Sequence, residues 1–254
     1  MDARIGNRKL AYDSYGSGPA LVLVHAFPLD RRMWAATGPA LALRCRVIAP
    51  DMRGFGASDL ADGSIADMAD DVASLLDELS VERATVGGLS MGGYVSLAFA
   101  ARHKERLERL ILADTRAAAD SEATRAGRAA ALALVDAQGV SPLVERQLVA
   151  LLSADASEAV RAKVRSIGNE QRAAGVKAGI CALRDRPDRQ GELSAIACPT
   201  LLLVGKEDKI SPPAEMAAMA SAIPGSRLVE IAAAGHLSNL ENPNDFIAAV
   251  RSFL

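Results

Sequence analysis

The sequence has no excess of charge of either sign, no paired cysteines and no apolar run long enough to cross a bilayer. Its 29 Lys and Arg against 31 Asp and Glu give a net charge of −2, which leaves no electrostatic footprint for nucleic acid or acidic lipid. The three cysteines, Cys45, Cys181 and Cys198, are scattered and form no CxxC. An odd, dispersed set is a poor disulfide framework and reads as idle thiols in a reducing compartment. The opening "MDARIGNRKLAYD" has no apolar core of a secretory signal, and "ALVLVHAF" is far too short to span a membrane. With three histidines and no Cys/His cluster, no metal site is recognisable. The expectation is a soluble, cytoplasmic protein without metal, cofactor, nucleic-acid or membrane partner.

What is present is a globular composition: 50% hydrophobic and 24% charged residues in 254, enough for one large α/β domain with an insertion. Near-continuous apolar runs at 20–27, 45–51, 83–88, 109–114, 199–205 and 227–232 suit strands buried on both faces of a parallel sheet. Between them, "SIADMADDVASLLDEL", "SMGGYVSLAFAARH", "PAEMAAMASAI" and "NDFIAAVRSFL" carry helical spacing, several with Ser, Asp or Asn near the start as caps. Ahead of these, "ARIGNRKLAYDSYG" alternates around a Gly-Asn turn, an antiparallel hairpin at the sheet edge. The pattern predicts a doubly wound α/β sheet. Residues 115–190 break the rhythm with Ala-, Arg- and Leu-rich helical segments and no strand. They predict a helical cap over the strand ends, with 1–114 and 191–254 forming the core; a plain surface bundle is the alternative. There is no internal repeat.

Chemistry concentrates at "VGGLSMGGYVSLAFAARH". Gly88-Leu89-Ser90-Met91-Gly92 fits G-x-S-x-G between a strand and a helix, where a sharp turn exposes a nucleophile beside the free N–H groups of a helix N-terminus. A dinucleotide loop is the rival, but G-x-G-x-x-G and a Walker lysine are both absent. Serine needs a base. His103 falls at the far end of the helix that begins at Ser90. His25 ends a strand on the right edge but leads into "AFP", a loop with another use. His236, in "AAAGHLSNLENP", follows the last strand, where a base would project. The base needs a carboxylate. Asp208 in "LLLVGKEDKISPP" is preferred, with Glu207 beside it and Asp114, ending "RLILAD", as rivals. Backbone N–H donors for an oxyanion are expected from Met91 and, in the loop "HAFPLD", from Phe27. Phe27, Trp34, Leu132 and Leu143 are candidates for the substrate-pocket wall.

Over essentially its full length the chain resembles the α/β-hydrolase superfamily. "LVLVHAFPLDRRMW", "APDMRGFGASD", "GGLSMGG", "PTLLLVGKEDKISPP" and "GHLSNLENP" resemble that family's landmarks in its order, and Ser90, Asp208, His236 stand in its Ser…Asp…His order. The last three stretches are most similar to carboxylesterases and the 3-oxoadipate enol-lactonase group. The resemblance implies an α/β-hydrolase fold and a cofactor-free serine hydrolase acting on a small carboxylic ester or lactone. An enol-lactonase and a ligand receptor with vestigial hydrolysis are the alternatives. One departure is His25-Ala26 where the family often has His-Gly, which bears on Phe27 as a donor. Haloperoxidases, C–C hydrolases and acyltransferases share the superfamily, so it does not by itself name a substrate.

Overall fold

In a computed structural model covering residues 1–254, the chain opens as expected with a hairpin. Gly6, at φ 60°, turns β1 (Asp2–Ile5) back on β2 (Arg8–Tyr15) with Ile5 opposite Arg8. The remaining strands are β3 (Ala20–Val24), β4 (Arg46–Pro50), β5 (Ala84–Leu89), β6 (Leu107–Ala113), β7 (Thr200–Gly205) and β8 (Arg227–Ile231). They form one sheet in the order β1-β2-β4-β3-β5-β6-β7-β8. The β1–β2 and β2–β4 pairings are antiparallel, and every pairing from β4 to β8 is parallel. All C-terminal strand ends of the parallel part therefore point to one edge, where loops can meet.

The helices are α1 (Thr37–Leu41), α2 (Ile65–Glu78), α3 (Met91–Arg102), α4 (Glu122–Gln138), α5 (Ser141–Leu151), α6 (Glu158–Asn169), α7 (Ala173–Arg184), α8 (Pro213–Ala222), α9 (Ser238–Glu241) and α10 (Pro243–Phe253). Ser64 and Asp67 close a reciprocal capping box on α2, and Ser121, Ser157 and Asn242 cap α4, α6 and α10, each cap contributing about 1 kcal/mol. β3, β5 and β7 are buried at every residue, which explains their unbroken apolar runs. Val22 and Val24 join Val95 and Phe99 of α3 on one face; Leu21 and Leu23 join Leu41 of α1 and Phe246 of α10 on the other. Each such side chain fully buried stabilises the fold by about 1.5–3 kcal/mol. No helix is long and apolar enough to cross a membrane.

Between β6 and β7 the chain makes no strand, only α4–α7 and a 3₁₀ turn at Gln190–Ala195. The two ends of this excursion are tied together by Arg186, which is 4% exposed. It pairs with Asp120, donates to the carbonyls of Ala118 and Leu183, and stacks 4.2 Å over the Tyr94 ring. α7 lies on the loop after β4. Gly175 and Gly54 meet backbone to backbone, so that a Cβ on Gly175 would stand 1.9 Å from the Gly54 oxygen. Gln171 bridges the Gly56 N–H and the Asp30 carboxylate.

One expectation is corrected here. Trp34 does not stand beside Phe27 in a pocket. Asp30 caps a 3₁₀ turn at Arg31–Trp34, and the indole is buried in the cluster of Leu41 and Phe246, 1% exposed and 6.0 Å from the Phe246 ring. Phe27 packs with the opposite face.

Candidate active site

Ser90 sits alone between β5 and α3 with φ 57° and ψ −111°, a left-handed conformation costing about 1–3 kcal/mol for a non-glycine residue. The surroundings fix it. Its N–H donates to Ala113 O at 2.9 Å, and its carbonyl accepts from Gly93 and Tyr94 N–H and from Thr115 Oγ1. The two flanking glycines are explained by close approach: a Cβ on Gly88 would stand 2.4 Å from the Gly92 carbonyl carbon, and one on Gly92 would stand 2.1 Å from Val24 O. The glycines let strand, turn and helix nest so tightly that the serine is pushed out at the strand ends.

The loop after β8 brings His236, 1% exposed, to Ser90: Nε2 is 2.8 Å from Oγ. Its Nδ1 is 2.8 Å from Asp208 Oδ2. The carboxylate can only accept, so Nδ1 carries the proton and Nε2 is free to accept from the Ser90 hydroxyl. Asp208 Oδ1 accepts from Ile210 N–H at 2.8 Å and Ser211 N–H at 2.9 Å, which holds its other oxygen on the imidazole. Glu207 is exposed beside it. Asp114 is wholly buried but does not reach His236; it bonds Gly205 N–H and Ser238. Burial and the neighbouring Asp208 carboxylate hold Asp114 well above the usual carboxylate range.

His25 is occupied elsewhere. Its Nδ1–H donates to Ala26 O and its Nε2 accepts from Met52 N–H, both at 3.0 Å. Complete burial pushes its pKa down, so it joins the loops after β3 and β4 as a neutral ring. His103 meets Asp70 at the other end of α3. Ala26 takes no left-handed backbone conformation, so its methyl is accommodated; its N–H turns to Met33 Sδ. The next N–H, that of Phe27, and the N–H of Met91 at the first position of α3 donate to no protein acceptor. The Phe27 ring lies edge-on to Phe55 at 6.0 Å and against Gly179 of α7. Leu143 is fully buried in the same apolar cluster as Phe27, with Leu132 half-buried beside it.

Three contacts near the site have little signal in the sequence. Glu241 accepts from Gly235 N–H, next to His236, and from the N–H and hydroxyl of Ser153 between α5 and α6. Leu237 N–H donates to Leu151 O. Gly179 touches Phe27, and only the Gly175-x-x-x-Gly179 spacing hints at the close approach of α7.

A family model described as the alpha/beta hydrolase fold matches residues 19–243. The chain is an α/β hydrolase. This hydrolase superposes on a thermophilic esterase from Thermogutta terrifontis, solved with malate bound, with a TM-score of 0.95 and 39% identity over 99% of this chain and 96% of that one. It is similar to the enol-lactonase from Burkholderia xenovorans LB400, with a TM-score of 0.93 and 32% identity over 100% and 99% of the two chains. Among curated proteins, the pimeloyl-[acyl-carrier protein] methyl ester esterase of Aeromonas hydrophila is 27% identical over 268 residues, covering 96% of this hydrolase and 99% of the relative.

Proposed function

We propose that this α/β hydrolase cleaves small carboxylic esters or lactones through an acyl-enzyme on Ser90. The observation that carries the reading is the unbroken chain Ser90 Oγ, His236, Asp208, with 2.8 Å at each link. As Oγ attacks the substrate carbonyl carbon, His236 Nε2 takes its proton, and Asp208 stabilises the imidazolium. The tetrahedral oxygen carries the negative charge between the N–H groups of Phe27 and Met91, the latter aided by the positive end of α3. Collapse expels the alkoxide, which takes the proton from His236; from a lactone the new hydroxyl stays attached to the acyl chain. Water, deprotonated by His236, then attacks the acyl carbon, and Ser90 leaves with the proton.

The helices between β6 and β7 are read as a cap over this site, with Phe27, Leu143 and Leu132 as wall candidates. Support comes from Gly179 lying against Phe27 and from Glu241 joining Ser153 to the His236 loop. An enol-lactonase activity is the second reading, favoured by the full-length likeness to the Burkholderia enzyme. The intact chain from Ser90 through His236 to Asp208 argues against a ligand receptor with vestigial hydrolysis. The free cysteines suit a cytoplasmic setting. Turnover of p-nitrophenyl acetate and butyrate, beside a panel of lactones, tests the proposal. Ser90→Ala should leave less than about a thousandth of the activity and abolish fluorophosphonate labelling. Label retained on the variant would put the nucleophile elsewhere.

A further inference from the structure

We propose that Asp114 is a positioning residue for Ser90, His236 and Asp208, joining the loop that carries the acid to the loop that carries the base through an uncharged carboxyl group. The proposal rests on the triad reading above. Asp114 directly follows β6, the strand next to the one that leads into Ser90, and is 0% exposed. Its backbone takes φ 45°, a conformation tolerated by Asp and Asn better than by most residues, and its N–H donates to Leu203 O of β7 at 2.8 Å. The side chain then meets two residues, Gly205 and Ser238, the latter through both its hydroxyl and its backbone N–H. Oδ1 accepts from Gly205 N–H at 2.8 Å, and Oδ2 shares a hydrogen bond with Ser238 Oγ.

Those partners are well placed. Gly205 ends β7, and its carbonyl accepts from the N–H of Asp208 at 3.0 Å. Ser238 stands two residues after His236. Asp208 and His236 are themselves joined, so Asp114, Gly205, Asp208, His236 and Ser238 form a closed ring. Opening it at Asp114 frees both loops to drift, and the Ser90–His236 contact is set by where those loops stand.

The charge state follows from the partners. The partners are the backbone N–H groups of Gly205 and Ser238 and the Ser238 hydroxyl; none is positive. The other charged groups on the packed elements point elsewhere: Arg116 to Glu215, Glu241 to Gly235 and Ser153, and Lys206 and Glu207 to the surface. Asp208 is the charge that faces Asp114, and it has the same sign. A buried carboxylate without a cation is costly; Ser238 Oγ would donate to Oδ2 of an anion, and in the proposed uncharged form the same contact runs from the carboxyl proton to Oγ. The triad thereby keeps a single negative charge beside its imidazole. A second one would hold the proton on His236 and deplete the free base.

The test compares Asp114→Gly, which suits φ 45° and removes the carboxyl, with Asp114→Asn, which reproduces an uncharged acceptor and donor. On p-nitrophenyl butyrate the Gly variant should lose about ten- to a hundredfold in kcat with KM changed less than about threefold, as for loss of alignment rather than of binding. The Asn variant should recover to within about fivefold of wild type, with the acid limb of kcat/KM displaced by less than about 0.2 pH units. Wild-type kcat in the Gly variant would overturn the positioning role. An acid limb moved down by half a unit or more in the Asn variant would overturn the uncharged carboxyl, because an anion would have been removed. Should the Gly variant not fold, the kcat and acid limb of the Asn variant still decide. Fluorophosphonate labelling of the wild type is read in parallel: label absent from Ser90 sinks the triad reading itself, whatever Asp114 does.

Discussion

The α-carbon of Gly92 lies so close to the carbonyl of Val24 that a methyl group added there would stand 2.1 Å from the oxygen. Both neighbours are backbone, so neither can rotate away. Gly92→Ala must therefore part α3 from β3, costing about 1–3 kcal/mol or more and moving Ser90 with the helix. Denaturant melts should show the loss, and the rate of Ser90 phosphonylation should fall with it. A variant as stable and as reactive as wild type would mean that the close packing is dispensable.

Asp208→Asn should lower kcat by about four orders of magnitude, since an amide presents its N–H to Nδ1 and favours the wrong imidazole tautomer. Glu207→Gln, one residue away and exposed, should retain nearly full kcat. Steady-state kinetics on one ester rank the two, and the reverse ranking would assign the acid to Glu207.

Leu143→Ala opens space in the cluster that holds Phe27, and Gly179→Ala presses a methyl to 2.7 Å from Phe55 and 3.2 Å from Phe27. The first should favour longer acyl chains and the second shorter ones. One methylene of fit is worth about 1–3 kcal/mol, so the ratio of kcat/KM between butyrate and octanoate esters should move tens-fold rather than absolutely. Unchanged ratios in both would place the acyl group outside this cluster.

His25 is buried with its pKa pushed below the ordinary 6.5. The unfolded chain takes up a proton there as pH falls below about 6.5, while the folded ring stays neutral. Stability is therefore lost on the acid side, by about 1.4 kcal/mol per pH unit for this one group, until the folded ring protonates. His25→Gln keeps a donor and an acceptor but cannot titrate. The difference in unfolding free energy between wild type and variant should shift by about 1 kcal/mol from pH 6.5 to 5.5, because the unfolded histidine is only half protonated at the upper end. A constant difference would show that His25 charges freely in the folded state.

No three His, Cys, Asp or Glu side chains are grouped to hold a metal ion, and the proposed steps need none. Activity should survive EDTA and phenanthroline at full rate. Inhibition reversed by adding a divalent ion would rule out the mechanism.

The parallel strands were legible because burial on both faces leaves almost no polar residue in β3, β5 or β7. The tight turn at Ser90 was legible because two glycines are needed for close approach and their spacing survives in the sequence. His236 was singled out because only three histidines compete. The choice between Asp208 and Asp114 could not be made from residue types, since both end strands at the same edge. Their contacts separate them: Asp208 is hydrogen-bonded to His236, while Asp114 is bonded to Gly205 and Ser238. Trp34 was misplaced because seven residues of sequence separation from Phe27 say nothing of the 3₁₀ turn that packs its indole into a different apolar cluster. The contact of α7 with the loop after β4 joins Gly54 to Gly175, a long-range meeting whose partner the Gly175-x-x-x-Gly179 spacing does not name.

The order of the strands along the chain also bears on synthesis. β5 and Ser90 emerge from the ribosome when little more than a third of the chain exists, whereas β7 and β8 can be laid beside β6 only after residues 200–231 have been made. Until then the hydroxyl of Ser90 has neither imidazole nor carboxylate. A nascent or truncated chain that ends before these strands carries Ser90 without its hydrogen bond to His236, so the proposed reactivity toward esters requires residues 200–254 to be in place.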